Sequence, residues 1–444
     1  MRKTFIIILL IFFTFLGGTF LFYNTIRYGN ESFVNDIKNI LPKDFRGIAK
    51  KVIRVALNNF DTDFKFVEAT TKKSKQNKEY QIREFNNSIL NYQGPRAYLS
   101  FSNNNLYLLT GTGTVLYTDI INIFENKKLT LSPIKSNLNE LINYNKFFTD
   151  SSFGTKGIML DKNKIYISFS NEVSKDCFQT SIVSANLNFK KLKFSYLFKP
   201  SQCISRKNDY GEFQPIQTGG VMSDFDSEYL IFTNGEFRYR TMAQEDNSIF
   251  GKILFINKIN GDHKIISKGH RNSQGVFFQK EKNIILSTDH GPKGGDEINI
   301  QKNINKISNF GWPISSYGEH YPKMTPKEAY VKAPLYKSHK KYGFEEPIKY
   351  YVPSIGITQI VNVPNEFNNL GDNQFFVASM GFGNEKSESI HHLILDNKYE
   401  NITFEDQLKI GSRIRDIIYY KNKNVFIAYL EKKGSLLVIS NLSN

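Results

Sequence analysis

Cysteine, tryptophan and histidine are scarce in this sequence of 444 residues. It has 2 cysteines, 1 tryptophan and 7 histidines, and the first histidine is His263. Cys177 and Cys203 permit at most one disulfide, and a pair of buried free thiols is an equal alternative. Because no histidine precedes His263, any chemistry that needs an imidazole must take it from residue 263 onward.

A block of arginines and a basic helix are also missing, although the formal net charge is +16. The positive charge is spread along the chain, so the sequence predicts no nucleic-acid partner. Aromatic residues, in contrast, are abundant, with 38 Phe and 24 Tyr, and hydrophobic residues make up 40% of the chain. This composition favours strands and is sufficient for a large core in one or two domains.

The first residues are a candidate membrane anchor. Arg2 and Lys3 precede a run without any charge from Thr4 to Phe22. A helix of about 20 residues spans a bilayer core, whereas the apolar region of a cleaved signal peptide has about 7–15 residues. We therefore predict a signal anchor, a transmembrane helix, over residues 1–26, with a cleaved signal peptide as the alternative. The flanking positive charges place the remainder of the protein in the periplasm or a similar extracytoplasmic space.

Residues 27–90 are predicted to form a stalk and linker that is partly helical. Between Phe33 and Phe60, apolar residues recur at helical spacing with Lys and Arg between them, which is typical of an amphipathic helix. We expect this helix either to lie on the anionic membrane surface or to pack on the domain that follows.

Six similar strand-turn-strand units follow. The units recur at intervals of about 50–60 residues, apart from one long insertion, which is the period of propeller blades. They begin at Leu106, Ile165, Tyr229, Ile284, Phe375 and Val425. One such unit cannot bury both of its faces, so stacking around an axis is the stable arrangement. The sequence therefore predicts an all-β fold, a six-bladed β-propeller over residues 91–444, rather than a β-sandwich followed by a second domain.

The segment Ser287–Tyr321 concentrates glycine, proline and acidic residues and contains the only tryptophan, Trp312. Glycine and proline at this density allow backbone carbonyls to converge on one point. The neighbouring acids Asp296 and Glu297 offer the oxygen ligands that Ca²⁺ prefers. The segment is thus either a metal-binding loop or an ordinary loop between strands.

Four segments in order carry a resemblance to a known family. They are Thr218–Gly235, Gly251–Gly275 with GHRNSQG, Ser287–Tyr321 with HGPKGGDEIN and FGWP, and Gly411–Asp416 with GSRIRD. Together they resemble the soluble quinoprotein glucose/sorbosone dehydrogenases, the aldose sugar dehydrogenases that depend on pyrroloquinoline quinone (PQQ). The resemblance implies a six-bladed propeller, PQQ and Ca²⁺ as cofactors, a small sugar as substrate, and hydride transfer from the sugar C1 to the quinone.

The resemblance also implies the residues of the site. PQQ carries three carboxylates, which arginines bind best, and two arginines in an R-x-R pattern on a strand point to one face. The cofactor-binding residues implied are Arg271, Asn272, Gln274, Tyr321, Arg413 and Arg415. The carbonyls of Gly291 and Pro292 match those that hold the catalytic Ca²⁺, and Glu297 with the Phe310 carbonyl matches a second, structural calcium position.

One departure from the family pattern affects catalysis. Gln217 stands where the family has its histidine base, and an amide cannot accept a proton at neutral pH. The family lysine expected near Ser379 is also missing, since Met380 and Gly381 follow instead. Two functions remain open. The chain is an oxidoreductase with another base, for which Asp209 and Glu212 are candidates, or it is an inactive propeller that binds a sugar or another ligand.

Overall fold

The computed structural model describes residues 24, 27, 46–93, 96–125, 128–142, 154–321, 327–381 and 387–442. The predicted membrane helix, Thr4–Phe22, lies outside these residues. Among the helices of the described ranges, none is long and apolar enough to cross a membrane.

Strands dominate the described residues, and the prediction of an all-β fold is confirmed. The α-helices are short: α1 (Arg46–Leu57), α2 (Ile121–Glu125), α3 (Leu138–Leu141) and α4 (Lys327–Lys332), with 3-10 turns at Ser88–Gln93, Arg240–Ala243, Lys280–Lys282, Lys340–Tyr342 and Lys421–Lys423. The strands of the first half are β1 (Thr62–Lys73), β2 (Glu79–Asn86), β3 (Ala97–Ser102), β4 (Asn105–Thr110), β5 (Val115–Asp119), β6 (Lys128–Ile134), β7 (Gly154–Asp161), β8 (Lys164–Ser174), β9 (Cys177–Asn186), β10 (Ser195–Phe198), β11 (Gly219–Asp224) and β12 (Tyr229–Asn234). Those of the second half are β13 (Lys252–Asn257), β14 (His263–Lys268), β15 (Ser273–Gln279), β16 (Ile284–Asp289), β17 (Asp296–Gln301), β18 (Ser308–Asn309), β19 (Lys349–Tyr351), β20 (Ile357–Asn362), β21 (Gln374–Ser379), β22 (Ser389–Leu395), β23 (Ile402–Lys409), β24 (Ile414–Tyr420), β25 (Val425–Leu430) and β26 (Ser435–Asn441).

Most of these strands form six antiparallel sets of four within the described residues, which we call blades 1 to 6. The blades are β3–β6, β7–β10, β11–β14, β15–β17 with β19, β20–β23, and β24–β26 with β2. The first strands of successive blades contact one another, and β24 of blade 6 contacts β3 of blade 1. This closed circuit gives a propeller-like arrangement and excludes a two-sheet sandwich.

The second strand of each blade is buried on both faces. In β16 and β25, for example, every residue is buried, because a neighbouring blade covers each side of the sheet. Every predicted unit begins on such a second strand: Leu106 lies in β4, and Ile284 and Val425 open β16 and β25. The apolar pattern that marks the units in the sequence is therefore a consequence of two-sided burial.

Part of the predicted stalk belongs to the sheet. β2 pairs antiparallel with β26, and Ile82 lies opposite Ile439. β1 then joins β2 to β6, so that blades 6 and 1 share a single nine-stranded sheet. The predicted boundary at residue 91 thus differs from the structure. The polar character of β1, most of which is exposed or half-buried after its first three residues, explains why the sequence pattern missed it.

Helix α1 packs on blade 1. Ile53, Ala56 and Leu57 share one face of the helix and are buried in the same core cluster as Leu108 and Leu131. The Arg54 side chain donates a hydrogen bond to the Thr112 carbonyl at 3.1 Å. Of the two positions expected for this helix, the structure therefore has the one in which it packs on the domain.

Cys177 and Cys203 form a disulfide, with Cα atoms 5.2 Å apart. The bond lies beside a pair of backbone hydrogen bonds between Phe178 and Ile204. It therefore ties the start of β9 to the loop that leads from β10 toward β11.

Candidate functional site

Most of the predicted site residues lie where the first strands of the blades begin. A cavity of about 320 Å³ opens there. Its lining contains nine of the eleven residues that the resemblance places at family site positions, from blades 3, 4 and 6: Gln217, Arg271, Asn272, Gln274, Gly291, Pro292, Tyr321, Arg413 and Arg415. Residues far apart in the chain are thus brought together at one point. The other two, Glu297 and Phe310, are not part of this lining.

A buried carboxylate fixes the backbone around Arg271 and Asn272. Asp289, at the end of β16, accepts hydrogen bonds from the Asn272 amide at 2.6 Å and from the Ser273 hydroxyl at 3.0 Å. Its carboxylate also contacts Nδ1 of His270 at 3.0 Å. Burial alone would raise the pKa of Asp289, but these partners stabilise its charged form and lower the pKa overall. The GHRN motif is therefore held by an anion from the neighbouring strand.

Asn272 links blades 3 and 4 at the cavity. Its side-chain oxygen accepts hydrogen bonds from the Gly219 amide and from the Gln274 side chain, both at 3.0 Å. Gly219 has a φ of +57°, and a Cβ there would lie 2.9 Å from the Thr233 carbonyl oxygen. Glycine is needed at this position because both the backbone conformation and the close approach exclude a side chain.

Arg271 is oriented by the loop after β16. Its Nη1 donates to the carbonyl oxygens of His290, at 2.9 Å, and Gly291, at 2.7 Å. The Trp312 ring lies 5.4 Å from the guanidinium carbon of Arg271 and equally far from that of Arg240. These contacts place a cation directly beside the predicted calcium carbonyls.

Arg413 and Arg415 share one carboxylate. Nε of Arg413 donates to Glu431 at 2.9 Å, and Arg415 forms a closer ion pair with the same carboxylate. Burial raises the pKa of Glu431, but the neighbouring arginines lower it by more. Arg415 also donates to the Gln274 side-chain oxygen at 3.1 Å. Arg413 precedes β24 and Arg415 lies at an irregularity in its pairing with β25, so it is the shared Glu431 that brings the two guanidinium groups together.

The cavity is electropositive. Among the described residues, its cationic lining consists of Arg96, Lys156, Arg271, Arg413 and Arg415. Its one lining carboxylate, Asp296, accepts backbone hydrogen bonds from Gly291, Ile355, Gly356 and Ile357 at 2.7–3.1 Å. The charge of Asp296 is therefore used to hold two loops together, and the remaining charge of the cavity favours an anionic ligand.

Sequence reasoning missed Arg96 and Lys156. Both come from blades that carry none of the quoted motifs, so nothing local marks them. Arg96 directly precedes β3, just as Arg413 precedes β24. A search for basic residues at the start of each first strand would therefore have identified Arg96. Met380 and Gly381 line the cavity at the place where the family lysine was expected.

Gln217 has an unsatisfied oxygen at this cavity. The side chain is buried, and its Oε1 has no hydrogen-bond partner among the described residues. The backbone is fixed, because the Gln217 carbonyl accepts from the Phe237 amide at 2.8 Å. An amide oxygen accepts hydrogen bonds but does not take up a proton at neutral pH.

Neither of the two alternative bases lines the cavity. Glu212 is buried and forms ion pairs with Arg240 at 2.8 Å and with Arg238 at 3.4 Å. Asp209 is exposed and accepts a hydrogen bond from the Tyr239 hydroxyl. The structure therefore assigns both acids to contacts outside the cavity.

Glu297 and Phe310 lie on either side of the His339 ring. Nδ1 of His339 is 2.8 Å from the Phe310 carbonyl oxygen, and Nε2 is 3.2 Å from a Glu297 carboxylate oxygen. The second contact is an ion pair rather than an aligned hydrogen bond. Burial lowers the pKa of His339, but the nearby Glu297 carboxylate raises it by more.

Comparison with known proteins identifies the family. The model of the family described as "Glucose / Sorbosone dehydrogenase" matches residues 128–438. This chain belongs to the glucose/sorbosone dehydrogenase family. The match covers all four motif segments, so the resemblance noted in the sequence is confirmed.

Two curated relatives match part of the chain. The aldose sugar dehydrogenase YliI of Escherichia coli is 25% identical over 266 residues, which are 56% of this chain and 65% of that protein. An uncharacterized protein of Synechocystis, slr1608, is 27% identical over 46% of this chain and 48% of its own length. The chain thus spans about half to two thirds of the curated relatives that it matches.

Solved structures share the fold. A crystal structure of a glucose dehydrogenase superimposes with a TM-score of 0.62 at 18% identity, covering 85% of this chain and all of the other. The soluble aldose sugar dehydrogenase of Escherichia coli, in its apo form, gives 0.59 at 19% identity, covering 84% and 99%. The PQQ-bound aldose sugar dehydrogenase of Streptomyces coelicolor gives 0.51 at 16% identity, covering 78% and 93%.

Proposed function

We propose that this protein is a PQQ- and Ca²⁺-dependent oxidoreductase that acts on the CH–OH group of an aldose sugar. The observation that carries the proposal is the ring of cations around a single cavity: Arg96, Lys156, Arg271, Arg413 and Arg415. A flat ligand with three carboxylates matches this charge and is bound best by guanidinium forks. The cavity volume of about 320 Å³ falls in the range of small-molecule sites.

The residues present fit the quinone. Arg413 and Arg415 are turned to one side by Glu431, and Gln274 connects Arg415 to Asn272. Together with Arg271 and Tyr321 they form an anion-binding wall from three blades. When bound, PQQ supplies the hydride acceptor for the oxidation at the sugar C1. The arginines of this chain bind the acids, and Arg271 is placed to stabilise charge that develops on the quinone oxygen.

The Gly291 and Pro292 carbonyls are the residues that would hold the catalytic Ca²⁺. Both line the cavity beside Arg271. The Gly291 carbonyl already accepts one hydrogen bond from Arg271, and a carbonyl oxygen retains a second lone pair. Two carbonyls do not complete the six to eight oxygen ligands of Ca²⁺, so the cofactor is expected to supply part of its shell.

The sugar hydroxyl is expected to bind at Gln217. Its buried Oε1 lacks a partner among the described residues and accepts a hydrogen bond, but it does not take up a proton at neutral pH. An inactive propeller that binds a sugar is the second candidate function, and this same glutamine favours it. Turnover with PQQ distinguishes the two.

The test is reconstitution of the full-length chain, purified in detergent, with PQQ and Ca²⁺. We expect bound-quinone absorbance and reduction of a dye by aldoses. Arg413→Ala should weaken PQQ binding about 10- to 100-fold, the effect of losing a hydrogen bond from a charged group. Arg206→Ala removes an exposed arginine outside the cavity and should change neither PQQ binding nor dye reduction. Sugar binding without quinone absorbance in the wild type would exclude the oxidoreductase and leave the binding module.

We also propose that the protein is anchored in the membrane by residues 1–26, with the propeller in the periplasm or another extracytoplasmic space. The Cys177–Cys203 disulfide supports this location, because disulfides persist in oxidising compartments. Protease added to intact spheroplasts should degrade the propeller. Protection of the propeller until the cells are lysed would place it in the cytoplasm.

A further inference from the structure

The ring of His339 occupies the place that the family resemblance assigns to a second calcium ion. Both predicted ligands of that ion, the Glu297 carboxylate and the Phe310 carbonyl, face the ring, one at each nitrogen, at 3.2 and 2.8 Å. The ring therefore lies between the two oxygens that the resemblance assigns to the ion. The ring is 1% exposed, so these contacts are made away from solvent.

The residues around Glu297 do not fit Ca²⁺. Calcium takes six to eight oxygen ligands at about 2.3–2.6 Å, and His339 contributes a ring that has no oxygen. In the part of the chain that the structure describes, no group of three or more His, Cys, Asp or Glu side chains is arranged to hold a metal.

The neighbouring chain is built around the imidazole. The ring stacks on Tyr317 with centroids 5.5 Å apart, and the His339 backbone amide donates to Glu346 at 3.1 Å. A Cβ on Gly311 would lie 2.9 Å from Nδ1 of His339. The glycine directly after Phe310 therefore makes room for the ring at the carbonyl that would otherwise bind a metal.

We propose that His339 replaces the second, structural calcium of this family in the present chain. Its imidazole joins β17 to the segment after β18, so this part of the propeller is held without a metal ion. The proposal does not rest on the quinone site or on turnover.

The test measures calcium binding by the full-length chain without PQQ. Wild type and Glu297→Gln are titrated with CaCl₂ by calorimetry, and we expect the same stoichiometry and affinity for both. Glu319→Gln, which removes a charge from a nearby exposed acid, is the matched control. If Glu297→Gln binds one calcium fewer than the wild type and the control, Glu297 is a calcium ligand and the proposal is overturned.

Unfolding in EDTA gives a second readout. Glu297→Gln and His339→Gln should each lower the unfolding temperature, and the double variant should fall by less than their sum, because the two side chains act as a pair. Coupling that appears only with added calcium would overturn the proposal.

Hydrogen exchange measured on the wild type alone tests the same proposal and does not require the variants to fold. Protection of β17 and of residues 308–311 should be the same in EDTA and in calcium. A loss of protection in EDTA at these residues would show that a metal holds them. Failure of the proposed oxidoreductase activity changes none of these three outcomes, because PQQ and sugar are not present.

Discussion

At the scale of single residues, Gln217 provides the sharpest test of the proposed turnover. The family resemblance places it at the position of the base; the residue lines the cavity, and its buried side-chain oxygen has no partner among the described residues. Gln217→His should raise turnover about tenfold or more, because a positioned general base contributes roughly 10²–10⁴-fold. The measurement is dye reduction at saturating PQQ and sugar. No increase, in a variant that still shows bound-quinone absorbance, would mean that the base belongs elsewhere.

His392 makes stability depend on pH. The ring lies in β22, with its Nε2 2.9 Å from the Gln374 side-chain oxygen, and burial lowers its pKa to about 4 from an ordinary 6.5. A depressed histidine pKa stabilises the fold fully above about pH 6.5, and this contribution is lost as the pH falls toward about 4. At about 1.4 kcal/mol per unit, the loss for one residue is roughly 3 kcal/mol.

His392→Gln tests this dependence, because glutamine retains an amide donor but does not titrate. We expect its free energy of unfolding, measured by urea denaturation from pH 7 to pH 4.5, to fall less steeply than that of the wild type. Burial also lowers the pKa of His391 to about 4, so part of the slope should remain. Equal slopes in both proteins would contradict the assignment.

The sequence allowed the motif residues of the site to be predicted, but not their partners. Arg271, Asn272 and Arg413 stand in recognisable patterns, and all three line the cavity. Glu431 lies in blade 6 and Arg96 in blade 1, and each is an ordinary charged residue in its local sequence. Only the closed ring brings Arg96 beside Arg415, so no local pattern identifies it. His339 was missed for the same reason, since it lies 29 residues from Phe310.

At the scale of elements, the disulfide anchors the segment that leads to Gln217. It joins the start of β9 to a loop 26 residues away, beside the backbone hydrogen bonds of Phe178 and Ile204. Without the disulfide the unfolded chain gains conformational entropy. For a loop of this length, this lowers the free energy of unfolding by about 3 kcal/mol. The variant with Cys177→Ser and Cys203→Ser should lose this amount in urea denaturation.

Reducing agent supplies the control for the disulfide. It should destabilise the wild type by a similar amount and leave the double serine variant unchanged. If the serine variant is as stable as the oxidised wild type, the bond adds nothing to the fold.

Strands were predictable where two neighbours bury them. The second strand of each blade is mostly apolar and buried, as in β12 and β21, and these strands set the repeat. Two kinds of strand were harder to predict. The first strands of the blades carry the site and contain polar residues, and β1, which joins blades 6 and 1, is largely exposed. Their place in a sheet follows from pairing with distant strands, which local periodicity does not report.

At the scale of the whole molecule, the first and last parts of the described chain close the ring together. β2 completes blade 6 by pairing with β26 from Tyr80 to Asn86, and Tyr80, Ile82 and Phe85 are buried. The cavity depends on this closure, because Arg96 follows β2 and Arg413 precedes β24. Without β2, blades 6 and 1 lose the strands that hold them in one sheet.

A fragment of residues 91–444, the propeller as the sequence delimits it, should therefore not fold as the complete chain does. This fragment lacks Tyr80, Ile82 and Phe85, and each large buried side chain contributes about 1.5–3 kcal/mol to stability. It also exposes the unpaired edge of β26, which favours aggregation. We expect aggregates in size-exclusion chromatography and no cooperative thermal transition by circular dichroism. A fragment that begins at residue 46 retains α1, β1 and β2 and should unfold cooperatively as a monomer. If the fragment of residues 91–444 were monomeric with an unchanged unfolding temperature, β1 and β2 would be dispensable and ring closure would rest on contacts between β24 and β3 alone.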